Sequence, residues 1–223
     1  MLYIIATPIG NLKDITLRAL DTLKKVDYIL SEDTRNSCHL LSHFNIKTPL
    51  ISFHQHSDNR KRNQVVEKLK KGKDLALISD AGTPTISDPG GRLVNQVKKD
   101  LPKLKIVPIP GACALITGLS ISGFKADKFL FLGFPPKKRK RNKFFKKIAN
   151  ANLTTVFYES PHRIIKTLEE LKKFKAIQKR KICLCREMTK MYETIYRGDI
   201  RKVLQNLKSD TIKGEFTVIV SSD

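Results

Sequence analysis

Residues 75–94 constrain the fold of this chain more than any other stretch. Leu75–Ile78 is a short apolar run of the kind that forms a fully buried strand. It is followed by residues that favour sharp turns, namely Gly82, Pro84, Pro89, Gly90 and Gly91. From Arg92 the apolar positions take a helical spacing. A strand, a long loop and a helix in this order predict an open α/β sheet whose loops bind a ligand beyond the strand ends, with a purely structural turn as the alternative.

Strands and helices alternate through the first half of the chain. Apolar runs predict strands at Leu2–Ala6, Tyr28–Ser31, Leu50–Phe53, Leu75–Ile78 and Lys105–Pro108. Helical spacing predicts helices between or after them, near 17–26, 36–44, 61–71, from 92, and 110–119. This alternation predicts a mainly parallel sheet with helices on both faces.

The pattern pauses near Ser122–Lys125, which predicts an N-terminal α/β domain at 1–123 and a C-terminal α/β domain at 124–223. Further strands are predicted at 129–133, 154–158, 181–185, 193–197 and 216–220, with helices near 143–150, 164–174 and 200–207. No helix separates the two strands within 181–197, so we expect an antiparallel pair there and a mixed second sheet.

The charge is the most unusual overall property of the chain. Lys and Arg number 43 against 21 Asp and Glu, which leaves a formal net charge of +22. Such a field favours polyanions, above all nucleic acid, although a general drift toward lysine is another possible origin. The densest run of cations is 137–141, which we interpret as a nucleic-acid contact, with a solvated linker as the alternative.

Cysteine usage and hydropathy predict a cytoplasmic protein without a membrane partner. The four cysteines contain no C-x-x-C pair and no disulfide framework. Residues 2–6 lack the basic region and the long apolar core of a signal peptide. No apolar run approaches membrane-spanning length.

Several familiar site motifs are absent from the sequence. It contains neither G-x-G-x-x-G, nor the P-loop pattern G-x-x-x-x-G-K-[ST], nor the nucleophile elbow G-x-S-x-G. His54 and His56 share a strand face without further ligands at useful spacing, so we expect a polar rim there and no metal.

Polar loops are nevertheless predicted at the strand ends, where a parallel sheet would gather them along one edge. They are 7–11, 31–35, 54–59, 79–91 and 110–112, with 159–163 in the second half. Singly, their charged residues have ordinary explanations. Asp80 and Asp88 suit Asx turns, and Glu32 and Asp33 suit a helix start.

Read together, these loops match a single family. The ordered segments are T-P-I-G-N-L (7–12), E-D-T-R (32–35), S-D-A-G-T-P (79–84), S-D-P-G (87–90), P-I-P-G (108–111), F-Y-E-S-P-H-R (157–163), R-E-M-T-K (186–190) and K-G-E-F (213–216). With them, nearly the whole chain resembles the ribosomal RNA small subunit methyltransferase I group of the tetrapyrrole-methylase superfamily.

The resemblance implies a two-domain tetrapyrrole-methylase-like fold with S-adenosylmethionine in the cleft between the domains. It also implies a homodimer that methylates the ribose 2′-oxygen of a cytidine in the decoding region of 16S rRNA, within the small ribosomal subunit. Two other functions stay open: a methyltransferase of the same fold acting on a tetrapyrrole or a protein, and a non-enzymatic RNA-binding protein.

The resemblance and the chemistry together select candidate site residues. A ribose hydroxyl needs a base, for which the candidates are Asp33, Glu159, Glu187 and Lys190, the last only if its pKa is lowered. The residues expected to bind the cofactor are Pro8, Gly10, Asp80, Gly82, Thr83, Pro84, Pro110, Gly111 and Ala112. Those expected to bind RNA are Arg35, Lys137, Lys138, Arg139, Arg141, Arg163 and Arg186.

Overall fold

The computed structural model describes residues 1–54 and 59–222. Residues 55–58 of the predicted polar segment, including His56, lie outside the described residues. The chain forms two compact units, Met1–Cys113 and Ala114–Asp223. This division falls before the boundary expected after Gly123, because the helix at 114–122 packs on the sheet of the second unit.

The N-terminal unit is built on a parallel sheet, as the alternation of its elements predicts. Its strands are β1 (Leu2–Ile5), β2 (Tyr28–Ser31), β3 (Leu50–Ser52), β4 (Leu75–Leu77) and β5 (Ile106–Ile109). They lie in the order β3-β2-β4-β1-β5, and every neighbouring pair is parallel. Pro108 is tolerated in β5 because β5 is an edge strand, where a missing N–H breaks no ladder.

Helices cover both faces of this sheet. They are α1 (Leu17–Lys25), α2 (Thr34–His43), α3 (Asn59–Lys70) and α4 (Gly91–Asp100). On one face, Leu23 of α1 packs in a core with Ile5. On the other face, Val65 of α3 and Leu93 of α4 pack in a core with Leu2. Because β1 and β4 lie inside the sheet and are covered on both sides, their residues are apolar along the whole length of each strand.

The C-terminal unit contains the expected mixed sheet. Its strands are β6 (Phe129–Phe131), β7 (Thr154–Glu159), β8 (Lys181–Arg186), β9 (Thr194–Asp199) and β10 (Phe216–Val220). They lie in the order β6-β7-β10-β8-β9. Only β6 and β7 pair in parallel, and the predicted antiparallel pair within 181–197 is β8 with β9.

Helices also flank both faces of the second sheet. They are α5 (Ala114–Ser122), α6 (Arg141–Ala149), α7 (Ile164–Lys172), α8 (Lys175–Gln178) and α9 (Ile200–Lys208). Gly118 lets α5 lie close to the sheet, since a Cβ there would stand 3.1 Å from Ile219 Cδ1. Phe145, Leu168 and Val203, from α6, α7 and α9, form the core on the opposite face. In the part of the chain that the structure describes, no helix has the length and apolar character needed to cross a bilayer.

Candidate functional site

Three loops of the N-terminal unit are joined at the carboxyl edge of its sheet. Thr7, after β1, pairs with Gly82, after β4, and each amide donates to the other's carbonyl at 2.9 and 3.1 Å. The Thr7 hydroxyl donates to the carbonyl of Ser79 at 3.1 Å. The Thr83 hydroxyl donates to the carbonyl of Ala112, after β5, at 3.1 Å. Because β4, β1 and β5 are neighbours in the sheet, their loops form one continuous rim.

Small residues allow these loops to approach one another closely. A Cβ on Gly111 would lie 3.0 Å from Ala6 Cβ, and a Cβ on Gly82 would lie 3.3 Å from Ile9 Cγ2. Gly82 also has a φ of +80°, which residues with a side chain rarely adopt. A larger residue at either position would push the loops apart.

The loop after β4 contains strained backbone. Thr85 and Ser87 have φ values of 74° and 65°, in the left-handed region that β-branched residues avoid most strongly. Such conformations persist where the surrounding structure imposes them, and they cluster at ligand sites. The strain therefore agrees with a functional loop rather than a simple connection.

Carboxylates gather at this edge of an otherwise basic protein. Asp80 accepts through Oδ1 from the amide of Asp33 at 3.0 Å and through Oδ2 from Asn36 Nδ2 at 3.4 Å. Burial, followed by the charge of Asp80, raises the pKa of Glu32. Asp33 caps α2, and hydrogen bonds from Arg35 lower the pKa of its carboxyl to about 2. The local negative charge suits a cationic ligand.

The residues predicted to bind the cofactor lie in the three joined loops. Pro8 and Gly10 follow β1, Asp80 to Pro84 follow β4, and Pro110 to Ala112 follow β5. Thr7 and Ser79 were not among the residues selected from the sequence. The Thr7 hydroxyl joins the first two loops by donating to the Ser79 carbonyl, and the Ser79 hydroxyl donates to the carbonyl of Gly82 at 3.2 Å within its own loop. Their signal is a hydroxyl residue at a strand end, where it can bond to a loop carbonyl.

Glu159, a candidate base, is buried in the C-terminal unit beside two arginines expected to bind RNA. Its side chain is 0% exposed. Oε1 forms an ion pair with Arg163 Nη2 at 2.6 Å and accepts from the amide of Ser160 at 2.8 Å. Oε2 accepts from the hydroxyl of Thr167 at 2.6 Å. Internal donors occupy both oxygens, which favours a structural role over proton transfer.

Arg141 and Arg163 direct their guanidinium groups inward. Arg141 donates from Nε to Glu170 Oε2 at 2.7 Å and from Nη1 to the carbonyl of Pro136 at 3.2 Å. Arg163 donates from Nη1 to the carbonyl of Pro135 at 3.0 Å. These contacts favour internal roles for both side chains over phosphate binding.

Arg186 is also largely buried. Its side chain is 7% exposed, and Nη1 donates to Asp210 Oδ2 at 2.9 Å. Tyr196 donates its hydroxyl to the same carboxylate oxygen at 2.5 Å. Among the described residues, Arg186 Nε is the buried side-chain nitrogen or oxygen that lacks a hydrogen-bond partner.

Glu187 and Lys190 lie in the turn between β8 and β9. Lys190 Nζ is 2.9 Å from Glu187 Oε1 and 3.0 Å from Glu215 Oε2. Burial pushes the pKa of Glu187 up, but hydrogen bonds from Lys190 and the Glu215 amide outweigh it and leave the pKa lowered. Burial pushes the pKa of Lys190 down, but its bonds to Glu187 and Glu215 outweigh that effect and raise the pKa. The condition for Lys190 to act as a base is therefore not met.

The other residues expected to bind RNA are exposed. The side chain of Arg35 is 87% exposed and forms two hydrogen bonds with the carboxylate of Asp33. Lys137, Lys138 and Arg139 are exposed and make no ion pair with any residue of 1–54 or 59–222. Within the same residues, no group of three or more His, Cys, Asp and Glu side chains is placed to hold a metal ion.

Comparisons with known proteins identify relatives along nearly the whole chain. A family model described as Tetrapyrrole (Corrin/Porphyrin) Methylases matches residues 1–204. A Haemophilus influenzae protein named Ribosomal RNA small subunit methyltransferase I is 50% identical over 223 residues, covering 99% of this chain and 78% of that protein. A Thermotoga maritima protein of the same name is 40% identical, covering 99% of this chain and 97% of that protein.

Solved structures agree on the fold. The X-ray structure of a cobalamin biosynthetic enzyme, cobalt precorrin-4 methyltransferase, matches with a TM-score of 0.73 at 15% identity, covering 100% of this chain and 95% of that one. A uroporphyrin-III-C-methyltransferase from Thermus thermophilus matches with a TM-score of 0.66 at 15% identity, covering 99% of this chain and 94% of that one.

Proposed function

The chain belongs to the tetrapyrrole methylase family, and relatives in that family are named ribosomal RNA small subunit methyltransferase I. We propose that it methylates 16S rRNA with S-adenosylmethionine as donor, at the ribose 2′-oxygen of a cytidine in the decoding region. The observation that carries the proposal is 50% identity to such a protein across 99% of this chain. The net charge of +22 supports a polyanionic substrate. An rRNA substrate also agrees with the cytoplasmic location expected from the sequence.

The joined loops of the N-terminal unit have a chemistry that fits this donor. S-adenosylmethionine supplies an electrophilic methyl group on a positively charged sulfonium, and it also carries an ammonium group. Asp80 provides negative charge at the rim, and it is held there by Asp33 and Asn36. Gly111 is exposed, so a ligand can approach its backbone closely, while the backbone groups of Gly82 join the loops after β1 and β4. We assign the loops after β1, β4 and β5 to donor binding.

Among the four candidate bases, the contacts favour Glu187. Asp33 and Glu159 accept hydrogen bonds through both carboxylate oxygens, and Lys190 has a raised pKa. Among the described residues, the donors to Glu187 both bond to Oε1, which leaves Oε2 available to accept a proton. Glu187 is ionised at neutral pH and is held through Oε1 by Lys190. Its φ of 51° is a strained conformation of the kind found at active sites. We assign Glu187 to accept the proton of the ribose hydroxyl as the methyl group is transferred.

The first test of the proposal measures donor binding. Calorimetry should show binding of S-adenosylmethionine, weakened about tenfold or more in Asp80→Asn, since interactions with charged groups contribute about 1.5–3 kcal/mol. Asp21→Asn on the exposed face of α1 is the matched control and should leave the affinity unchanged. RNA binding without any donor binding would contradict the proposal and would favour a non-enzymatic RNA-binding protein.

The second test measures the reaction. Tritiated methyl groups should enter small ribosomal subunits that lack the modification, and the labelled linkage should resist alkaline hydrolysis, because that cleavage requires a free 2′-hydroxyl. Incorporation into a porphyrinogen but not into RNA would overturn the proposed substrate. Sedimentation equilibrium of the same sample tests the expected homodimer.

Two matched variants, Glu187→Gln and Glu215→Gln, test the assignment of Glu187 as the base. Glu187→Gln should lower kcat by about 10²–10⁴-fold, the usual contribution of a general base, with little change in donor affinity. Glu215→Gln also removes a carboxylate partner of Lys190, but from an exposed side chain, and it should retain most of kcat. Equal losses in the two variants would contradict the assignment.

A further inference from the structure

A short cationic segment of the C-terminal unit is held on its N-terminal side by the side chains of a charged group and at its far end by the backbone amide of one residue of that group. The segment is Lys137–Lys140, named here the basic loop, and all of its residues are exposed. Pro135 and Pro136 precede the basic loop, and Arg141, the first residue of α6, follows it. The group, named here the arginine clamp, consists of Arg141 and Glu159, which are buried, and Arg163, whose side chain is 25% exposed.

The arginine clamp holds the backbone on the N-terminal side of the basic loop. Arg163 Nη1 donates to the carbonyl of Pro135 at 3.0 Å, and Arg141 Nη1 donates to the carbonyl of Pro136 at 3.2 Å. Because proline also restricts φ, the direction in which the chain enters the basic loop is strongly limited. Arg141 closes the far end as well, since its amide donates to the carbonyl of Lys138 at 3.4 Å.

Glu159 connects the two arginines. Arg163 Nη2 lies 2.6 Å from Glu159 Oε1, and Arg141 Nη1 lies 3.9 Å from Glu159 Oε2. The hydroxyl of Thr167 donates to Oε2 and accepts from Arg141 Nη2, each at 2.6 Å. The second carboxylate on Arg141 is Glu170, at 2.7 Å. With Glu170 counted, two guanidinium groups face two carboxylates, so these four side chains together carry no net charge.

The backbone of the basic loop is itself constrained. Lys140 has a φ of 67° and occupies the position just before α6 without a side-chain cap. A non-glycine residue in this region is unfavourable unless its surroundings impose it.

We propose that the arginine clamp positions the basic loop for binding to the phosphates of the RNA substrate, so that Arg141, Glu159 and Arg163 act as positioning residues. This inference rests on the proposed rRNA substrate and deepens it. The physical reason is preorganisation: ordering side chains and loops on binding reduces affinity, and a loop already fixed in place avoids that loss. Lys137, Lys138 and Arg139 make the phosphate contacts, and the arginine clamp determines where they point.

The experiment measures affinity for small ribosomal subunits that lack the modification, as a function of salt. Neutralising the basic loop with Lys137→Gln, Lys138→Gln and Arg139→Gln together should lower the slope of log K against log salt by about 2, since each phosphate contact contributes about 0.7 for a single strand.

Arg163→Lys tests the arginine clamp without changing the net charge. Lysine lacks the planar fork needed to hold Glu159 and the Pro135 carbonyl together. We expect about tenfold weaker binding to the subunits, with unchanged affinity for S-adenosylmethionine. Arg180→Lys is the matched control, because Arg180, like Arg163, holds backbone through its guanidinium group: it donates to the carbonyls of Ile148 and Ala151 at 3.0 and 2.7 Å. It should leave affinity for the subunits unchanged.

A double-mutant cycle separates positioning from direct contact. When Arg163→Lys is added to the neutralised basic loop, it should have no further effect, because the three cations that make the phosphate contacts are gone. Additive losses would overturn the proposal, since they would mean that Arg163 acts independently of the basic loop. Equal losses of subunit affinity in Arg163→Lys and Arg180→Lys would overturn it as well.

Glu159→Gln gives an independent check, because the two explanations predict opposite changes in RNA affinity. This change removes a negative charge and makes the net charge more positive by one, so general electrostatic attraction alone would strengthen RNA binding, whereas loss of the arginine clamp weakens it. If Glu159→Gln does not fold, the subunit affinity of the Arg163→Lys variant is sufficient to test the proposal. If the wild-type chain binds no RNA, the proposed function fails. If it binds RNA with the same salt slope after neutralisation of the basic loop, only the present inference fails.

Discussion

Replacement of Gly111 by alanine isolates the close approach between the loops after β1 and β5. Gly111 has no positive φ, so alanine can adopt its backbone conformation without strain. The added Cβ, however, would lie 3.0 Å from Ala6 Cβ and 3.5 Å from the Ala6 carbonyl oxygen. The consequence of the substitution is therefore steric.

The size of the effect follows from this distance. Carbon atoms prefer to lie about 3.5–4.0 Å apart, so one loop must move by about 0.5–1 Å. Ala6 cannot give way easily, since it is 3% exposed and its amide donates to the Ile109 carbonyl at 3.2 Å. Overpacking of this kind costs about 1–3 kcal/mol. If the loop after β5 moves instead, restoring its position on donor binding costs a similar amount, or about 5- to 150-fold in Kd.

The assay combines urea unfolding with calorimetric titration of S-adenosylmethionine. Gly91→Ala is the matched control, because Gly91 also lacks a positive φ and its added Cβ would meet nothing within 4 Å. Since Gly91 lies in α4, alanine there should be neutral or stabilising by up to about 1 kcal/mol. If Gly111→Ala matches Gly91→Ala in both stability and donor affinity, the steric conflict with Ala6 does not exist in solution.

Three further substitutions test individual contacts. Thr83→Val removes the hydroxyl that bonds to the Ala112 carbonyl and should cost about 0.5–1.5 kcal/mol in urea unfolding, with no loss expected if that bond is absent in solution. Asp210→Ala leaves the buried Arg186 without its carboxylate and should lower the urea midpoint of unfolding, whereas Glu67→Ala, at an exposed pair with Lys70, should leave the midpoint nearly unchanged. Asp33→Asn keeps an N-cap acceptor but loses the charge. Because the pKa of Asp33 is lowered to about 2, its stabilising effect is present above pH 3.8 and is lost as the pH falls toward 2, so wild type and variant should converge over that interval.

The sequence predicts the fold correctly wherever the buried positions follow a regular pattern along the chain. The central strands β1 and β4 are covered on both faces, and their unbroken apolar runs indicated this directly. The domain boundary was harder to place, because α5 is apolar around most of its surface. Local sequence does not specify which sheet such a helix joins, and the contact of Gly118 with Ile219 is made between residues far apart in the chain.

The sequence also predicts the loops of the candidate site, because glycine and proline mark the turns that follow parallel strands. It does not predict the direction of each side chain. Arg141 ends a run of five cations and resembles its neighbours in sequence, yet it is 8% exposed because Glu170 and Thr167 of α7 receive its guanidinium group. A charge run therefore overstates the positive charge available to a phosphate backbone. In this chain the run supplies an exposed loop together with one of the side chains that hold it, and a substitution of Arg141 should act on RNA binding through the position of that loop rather than through the charge removed.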